Sequence, residues 1–408
     1  MKKFLSLLLA VTMLLSLTAV GASAEAAPLV YWSMWSSTEP QAIAIQQVID
    51  TYTAETGVKV NVEWKGRDVK TIIETAIDAG EQVDLFDTDF QLLSQQMGGK
   101  LMDLEEMAKA VEYDSFAVAA LPAAVREWAG TLKCIPYQAY TSGIFYNKAI
   151  FEEVGIEKEP ATWTELMDVC AKIKAAGYAP FAQDDAYVRY TFGFLMARHI
   201  GQNGVKDLVA KGDWAENPAA LASASAIEEM VKLGYFEENV PGTFPASEYE
   251  IGFGTTAMIV NASWVYNEIV LGTENKDLVL GMFNFPTVEG GTDPATVANV
   301  GAQAFAIPAT SKNGQAAFDL IMRLTSGEGD QLVATQSVGI PSDTRNTEWP
   351  ESLAGCRDAF NALTGVYEWN MGLSGDKDLD AAMQTACLKL FEGGTAQEFV
   401  DTMEAASK

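Results

Sequence analysis

An α/β fold in two lobes is predicted by three observations. Between Leu29 and Phe86, runs of β-formers alternate with helical periodicity in the order β-α-β-α-β, which builds a parallel sheet covered by helices. A second such series opens after Pro136. The chain is 408 residues long, with 49% apolar and 20% charged residues, so it has the length for two to three domain-sized units and a composition far from that of disordered chains.

The elements follow in order. Lys2 and Lys3 precede an apolar run from Phe4 to Val20, and Ala22-Ser23-Ala24 supplies a small-x-small pattern. Residues 1–24 therefore read as a secretory signal cleaved after Ala24, since the run falls short of the roughly 20 residues that span a bilayer. Leu29 to Trp35 (LVYWSMW) reads as a strand, followed by Ile45, Val48, Ile49 and Tyr52 at helical spacing. Val58, Val60, Val62 and Trp64 alternate strictly, Ile72, Ile73, Ala76 and Ile77 return to the helical period, and Asp84 to Phe86 gives a third short strand,.

In the second series, Gly143 to Tyr146 (GIFY) reads as a strand and Thr162 opens a helix. Thr162 and Glu165 form a capping box, Leu166, Val169, Cys170 and Ile173 make the buried stripe, and Gly177 closes it. Helices joined by Gly, Pro and Asn turns fill Asn203 to Val240. Strands at Thr256–Val260 and Val279–Phe285 come next, then a helix marked by Ala316, Ala317, Leu320, Ile321 and Leu324, and mostly helix from Cys356 onward.

Composition excludes much chemistry. Asp and Glu number 55 against 27 Lys and Arg, a formal charge of −28, so a nucleic-acid backbone would be repelled across most of the surface. His199 is the single histidine, which removes His-rich zinc sites and every scheme needing two imidazoles. No Walker loop, GxGxxG after a strand or GxSxG elbow occurs. Asp376, Asp378 and Asp380 match the start of a calcium loop, but Ala381 and Cys387 stand where it needs Gly and Glu,; DKDLD reads as a turn before a helix. Acidic pairs such as Glu152-Glu153, Glu228-Glu229 and Glu237-Glu238 read as solvated helix faces rather than a glycosidase dyad. Cys134, Cys170, Cys356 and Cys387 lack a CxxC spacing; Cys356 could pair with Cys387, or all four could be buried thiols. No cofactor or metal site is expected, and Cys134, the first cysteine, lies too far along for a lipid anchor at the cleavage point.

Several stretches in this order resemble the extracellular solute-binding proteins of ABC transporters, in the large carbohydrate-binding family that includes maltose-binding proteins. They are LVYWSMW at Leu29, DLFDTDFQLLSQQMGGKLMDL at Asp84, IPYQAYTSGIFYNKAIFEEVGI at Ile135, EPATWTELMDVCAKIKAAG at Glu159, FGTTAMIVNASWVYNEI at Phe253, FNFPT at Phe283 and AFAIPATSKNGQAAFDLIMRLTS at Ala304. The YNK-to-TW block followed by the AM-to-W block is the most specific. The resemblance implies a type II periplasmic-binding-protein fold with its ligand between the lobes. It places residues 28–138 plus 288–325 in the N-terminal lobe and 143–285 plus 328–408 in the C-terminal lobe, with crossovers at 139–142, 286–287 and 326–327.

By the same resemblance, Tyr187, Trp264 and Trp369 match positions where maltose-type proteins stack sugar rings, whose C–H faces pack on aromatics. Tyr140 stands where those proteins carry an acidic hydroxyl ligand, a departure that turns the expectation toward a saccharide other than maltodextrin. The first lobe should add polar contacts at its strand ends, where open α/β sheets bind ligands: Trp35, Ser36 and Glu39 after the first strand, Lys65 and Arg67 after the second, Asp87 and Asp89 after the third. Gln303 is a further candidate.

The expectation is therefore a secreted, monomeric, non-enzymatic saccharide receptor that delivers its ligand to an ABC permease. One alternative keeps the fold and binds a polyamine, a metal chelate or another small ion, with Asp84, Asp87, Asp89, Asp184 and Asp185 favouring a cation. The other is a secreted glycoside-active enzyme.

Overall fold

A computed structural model describes residues 27–408 except Asn239; the signal segment 1–24 lies outside the described residues. The strands are β1 (Leu29–Ser33), β2 (Val60–Trp64), β3 (Leu85–Asp89), β4 (Cys134–Asn147), β5 (Ala179–Ala182), β6 (Thr256–Ala262), β7 (Leu280–Phe283), β8 (Val297–Ala306) and β9 (Gly365–Tyr367). They form one ladder in the order β2-β1-β3-β8-β4-β6-β5, with β7 on β4 and β9 on β8. The β1–β2, β1–β3 and β5–β6 pairs are parallel, as the βαβ reading requires.

Two large cores and one smaller cluster cover this ladder. Tyr31, Ile45, Leu85, Phe86, Ile135, Phe305 and Leu320 belong to the first. Ile144, Leu166, Ile173, Phe192, Ile227, Met258 and Phe399 belong to the second. The joint between them is β4, whose Ile135 and Tyr137 enter the first core while Ile144 and Tyr146 enter the second. Its 14 residues run straight through Pro136, which the sequence suggested as a boundary. Between the cores, the β4–β8 register shifts at Tyr137–Tyr140, and Gln138 takes a left-handed φ of 49°.

Local signals dictate the ends of several elements. Thr162 and Glu165 make the capping box, both halves present, on the helix Trp163–Ala175, and Asp376 caps Lys377–Phe391 by accepting from the amides of Asp378 and Leu379. In β2 the alternation holds, with Val60, Val62 and Trp64 half-buried and Asn61 and Glu63 exposed. All four cysteines are buried free thiols.

The chain passes between lobes at places other than 286–287 and 326–327. Val288 packs on the second core, and the buried Arg198 of that lobe donates to the carbonyls of Phe285, Pro286 and Ala295. The return to the first lobe thus happens within β8, not before residue 288. The stretch 328–363, expected in the second lobe, is also displaced: Val333, Ile340, Leu353, Phe360 and Leu363 pack into the first core, and the helix Gly327–Ser337 lies against Pro40–Thr56. Trp349, Cys356 and Ala359 of that stretch also pack on a smaller cluster that holds Phe145, Ile259 and Met282 of the second lobe.

Candidate ligand-binding cleft

Where the two cores meet, four aromatic rings converge. Trp264 follows β6, at the start of the helix Val265–Thr273. The Tyr140 ring lies edge-on to it at 4.9 Å, with Trp369 at 6.3 Å and Tyr187 at 6.5 Å. Tyr187 and Trp369 close the group at 6.4 Å. Trp369 is 40% exposed, and the other three are half-buried. Offset and edge-on contacts at these separations are favourable for ring quadrupoles, so the rings hold one another as a platform.

The backbone makes room for this platform at two glycines. Gly301 of β8 stands opposite Tyr140 of β4, and a Cβ there would lie 2.1 Å from the Tyr140 ring. Tyr140 can lie over β8 only because residue 301 has no side chain. Trp369 precedes Asn370 and Met371, both at positive φ, and this tight turn presses on Gly193, where a Cβ would sit 3.0 Å from the Asn370 carbonyl.

The first lobe contributes a row of polar groups. Asp89 ends β3 opposite Gln303 of β8, and Gln303 in turn faces Tyr137 of β4. Asp89 is exposed and caps the next helix by accepting from the Leu92 amide at 2.8 Å. The Gln303 Oε1 atom is buried without a partner. Burial, then the charges of Asp89 and Tyr187, push the Tyr140 phenol up.

Asp87 is different. It is fully buried, with Oδ1 accepting from the Tyr31 hydroxyl at 2.8 Å and the Met34 amide at 3.2 Å, and Oδ2 from the Tyr137 hydroxyl at 2.6 Å. Tyr137 also accepts from the Trp35 indole at 2.7 Å. Asp87 is therefore occupied by the protein itself and does not face a ligand; it fixes Trp35 through Tyr137. Trp35 is 6% exposed, and the Arg67 guanidinium lies 4.5 Å over its ring. Arg67 donates to the Met34 carbonyl and pairs with Glu39 at 2.7 Å, while the Ser36 amide donates to Glu39. Trp35, Ser36, Glu39 and Arg67 thus form one self-satisfied cluster at the end of β1.

Beneath the platform, in the second lobe, sit three carboxylates from three elements: Asp184, Glu248 and Glu268. Burial, then the charges of Glu268, Glu248 and Asp184, push the Tyr187 phenol up to about 12. Burial pushes Asp184 up to about 7, and it raises Glu248, which Glu268 and Asp184 raise further by repulsion. Beside the rings a polar contact spans the lobes: Gln95 donates to Glu368 at 3.0 Å, and Glu368 is also paired with Lys206.

Residues 35–330 match the family model of the bacterial extracellular solute-binding proteins. The chain belongs to that family. Among its relatives, this solute-binding protein is 25% identical over 280 residues to the multiple sugar-binding protein of Streptococcus mutans, covering 65% of this chain and 63% of that protein. A binding protein of Brucella abortus is 26% identical over 151 residues, and the match spans about a third of that protein's length. Among solved structures, the bacterial solute receptor AcbH, described as preferring β-D-galactopyranose, superposes with a TM-score of 0.74 at 18% identity, over 93% of this chain and 96% of that one. A secreted solute-binding lipoprotein of Streptomyces coelicolor gives 0.72 at 17% identity, over 93% and 98%.

In this solute-binding protein the structure brings together Tyr140, Tyr187, Trp264 and Trp369, with Asp89 and Gln303 nearby. It holds Asp87 in the interior and gathers the β1-end residues into their own cluster. The acids that suggested a cation do not form one group, since Asp84 is tied to Val30, Ser311 and Asn313 at the far end of the sheet. Sequence reasoning missed Tyr190, 5.0 Å from the Trp369 ring, and Phe244, 6.0 Å from Tyr187. It also missed Glu248 and Glu268. Glu268 carried a signal, because it lies four residues after Trp264 and so shares its helix face.

Proposed function

We propose that this chain is an extracytoplasmic receptor for a saccharide, exported by cleavage after Ala24, that closes its lobes on the ligand and delivers it to an ABC import permease. The reading rests on one observation above all, the convergence of Tyr140, Tyr187, Trp264 and Trp369 where the lobes meet. Sugar rings stack on such faces, and their hydroxyls require planar partners of the Asp89 and Gln303 kind. The sugar-binding relative and the galactopyranose-preferring structural neighbour support it. Ligand exchange and closure are the work of this molecule, not turnover. It acts as a monomer and binds no nucleic acid, whose phosphates its charge of −28 repels,.

A thermal-shift screen against mono- and oligosaccharides tests this. A ligand at 100 times its Kd adds about 2.7 kcal/mol of stability, and a hit should also reduce the radius of gyration in solution scattering. Hydrolysis of a bound oligosaccharide, or stabilisation by divalent ions alone, would overturn the reading.

A further inference from the structure

The second-lobe side of the cleft holds more buried carboxyl oxygens than its protein donors account for. Asp184 precedes the short turn that carries Tyr187, Glu248 lies on the helix Ala246–Gly252, and Glu268 lies on Val265–Thr273. Asp184 and Glu248 are fully buried. Each uses one oxygen: Asp184 accepts from the Tyr187 amide at 3.0 Å, and Glu248 from the Asn261 amide group at 2.7 Å. Oδ2 of Asp184 is buried without a hydrogen-bond partner, and Oε2 of Glu248 and of Glu268 find no N–H or hydroxyl donor, their carboxyls meeting only each other there.

Nothing nearby compensates. Among the described residues, no Lys or Arg pairs with any of the three. The other charged groups around them, Glu237 and Asp185, have the same sign. Buried carboxylates normally accept from donors or pair with cations, because leaving them bare costs several kcal/mol. These carboxyl oxygens around Tyr187 and Trp264 thus call for donors beyond the one proton that Glu248 and Glu268 can share.

The platform selects the donor type. A cation is drawn to the negative face of an aromatic ring, and an ammonium brings three N–H groups with its charge. A neutral hydroxyl would satisfy one oxygen, whereas an ammonium also favours the ionised carboxylate that burial and mutual repulsion otherwise oppose,. Glu268, half-buried and one helical turn from Trp264, is the carboxylate such a group meets first.

We propose that the second-lobe subsite takes a saccharide ring bearing a primary ammonium, stacked on Trp264 with the ammonium directed to Glu268 and with Glu248 and Asp184 behind it. This rests on the saccharide reading above and names the class of sugar.

The test uses matched glucose- and galactose-derived saccharides, from one to three rings, carrying hydroxyl, acetamide or ammonium at C2, with spermidine as a separate arm. Thermal shift finds the sets that bind and calorimetry ranks their members. The ammonium member should bind about tenfold tighter than the hydroxyl member, and added salt should erode that preference. Glu268→Gln should bring the two within about twofold, and Glu268→Asp, which keeps the charge, should retain the order. Melting curves confirm that both variants are folded. Equal or weaker binding of the ammonium member overturns the proposal while the saccharide reading stands. A shift from spermidine alone overturns both.

Discussion

Asp184→Asn should make the protein less sensitive to alkaline pH, and the size of the effect follows from one buried oxygen. Burial pushes this carboxyl up to about 7 from an ordinary 3.8. A group whose pKa is raised on folding stabilises the fold while it is protonated in both states, and that stability is lost as pH rises through the folded value. The full loss is about 4 kcal/mol at 1.36 kcal/mol per pH unit, of which about 2.5 kcal/mol falls between pH 5 and pH 8. Asparagine keeps the cap, because its oxygen can still accept from the Tyr187 amide, and it carries no charge to bury. Its new amide hydrogens lack a partner, which costs about 1 kcal/mol or more at every pH. The variant should therefore lie within about 1 kcal/mol of the unchanged protein at pH 5 and be the more stable one, by about 3 kcal/mol, at pH 8. Entropy scaling with chain length converts the difference in pH dependence to about 3 °C in Tm. Calorimetric melts of both proteins at pH 5, 6, 7 and 8 read it directly. Parallel Tm-against-pH curves would refute the reasoning, since they would mean that Asp184 ionises in the folded state as easily as in water.

Trp264→Ala removes three ring contacts, each worth about 0.5–1.5 kcal/mol; it should abolish saccharide binding by calorimetry and lower stability by about 2–4 kcal/mol in denaturant melts. Gly301→Ala places a methyl 2.1 Å from the Tyr140 ring; the ring must move, at about 1–3 kcal/mol of stability, and titration should show at least about tenfold weaker ligand binding. Arg198→Met strands the carbonyls of Phe285, Pro286 and Ala295, and urea unfolding should show a loss of about 3–5 kcal/mol, with the far-UV spectrum unchanged.

Some of these positions were legible in the sequence and others were not, for physical reasons. The capping box at Thr162 and Glu165 and the alternation in β2 depend on neighbours within a few residues, and both stand as read. Helical periodicity states which face is buried, not against what, so the stretch 328–363 could not be assigned to the first lobe from its pattern. Asp87 and Asp89 share a face of β3 by their spacing of two. Only about 7 Å of strand separates them, yet that is the distance from the interior, where Tyr31 and Tyr137 occupy Asp87, to the open end where Asp89 lies. The ring platform came from resemblance, because its members are spread from Tyr140 to Trp369. The glycine that admits Tyr140 is legible only once β4 and β8 are paired.

The second lobe carries two opposite electrostatic solutions within the same chain. Arg198, fully buried, is surrounded by carbonyl oxygens and the Tyr367 hydroxyl at 2.9 Å, so its charge is solvated by the fold and ties down the segment leading to β8. Asp184, Glu248 and Glu268 receive no such treatment, although donors as small as a serine hydroxyl would serve, and Ser247 beside them has a buried hydroxyl without a partner. A cluster that persists at a cost to stability is the pattern expected where function sets the charge. The two assays separate that reading from an accident of folding. A carboxylate kept for a ligand should give opposite signs on neutralisation, with Asp184→Asn gaining stability at pH 8 and losing preference for the ammonium-bearing sugar. A carboxylate with no role would give the gain alone.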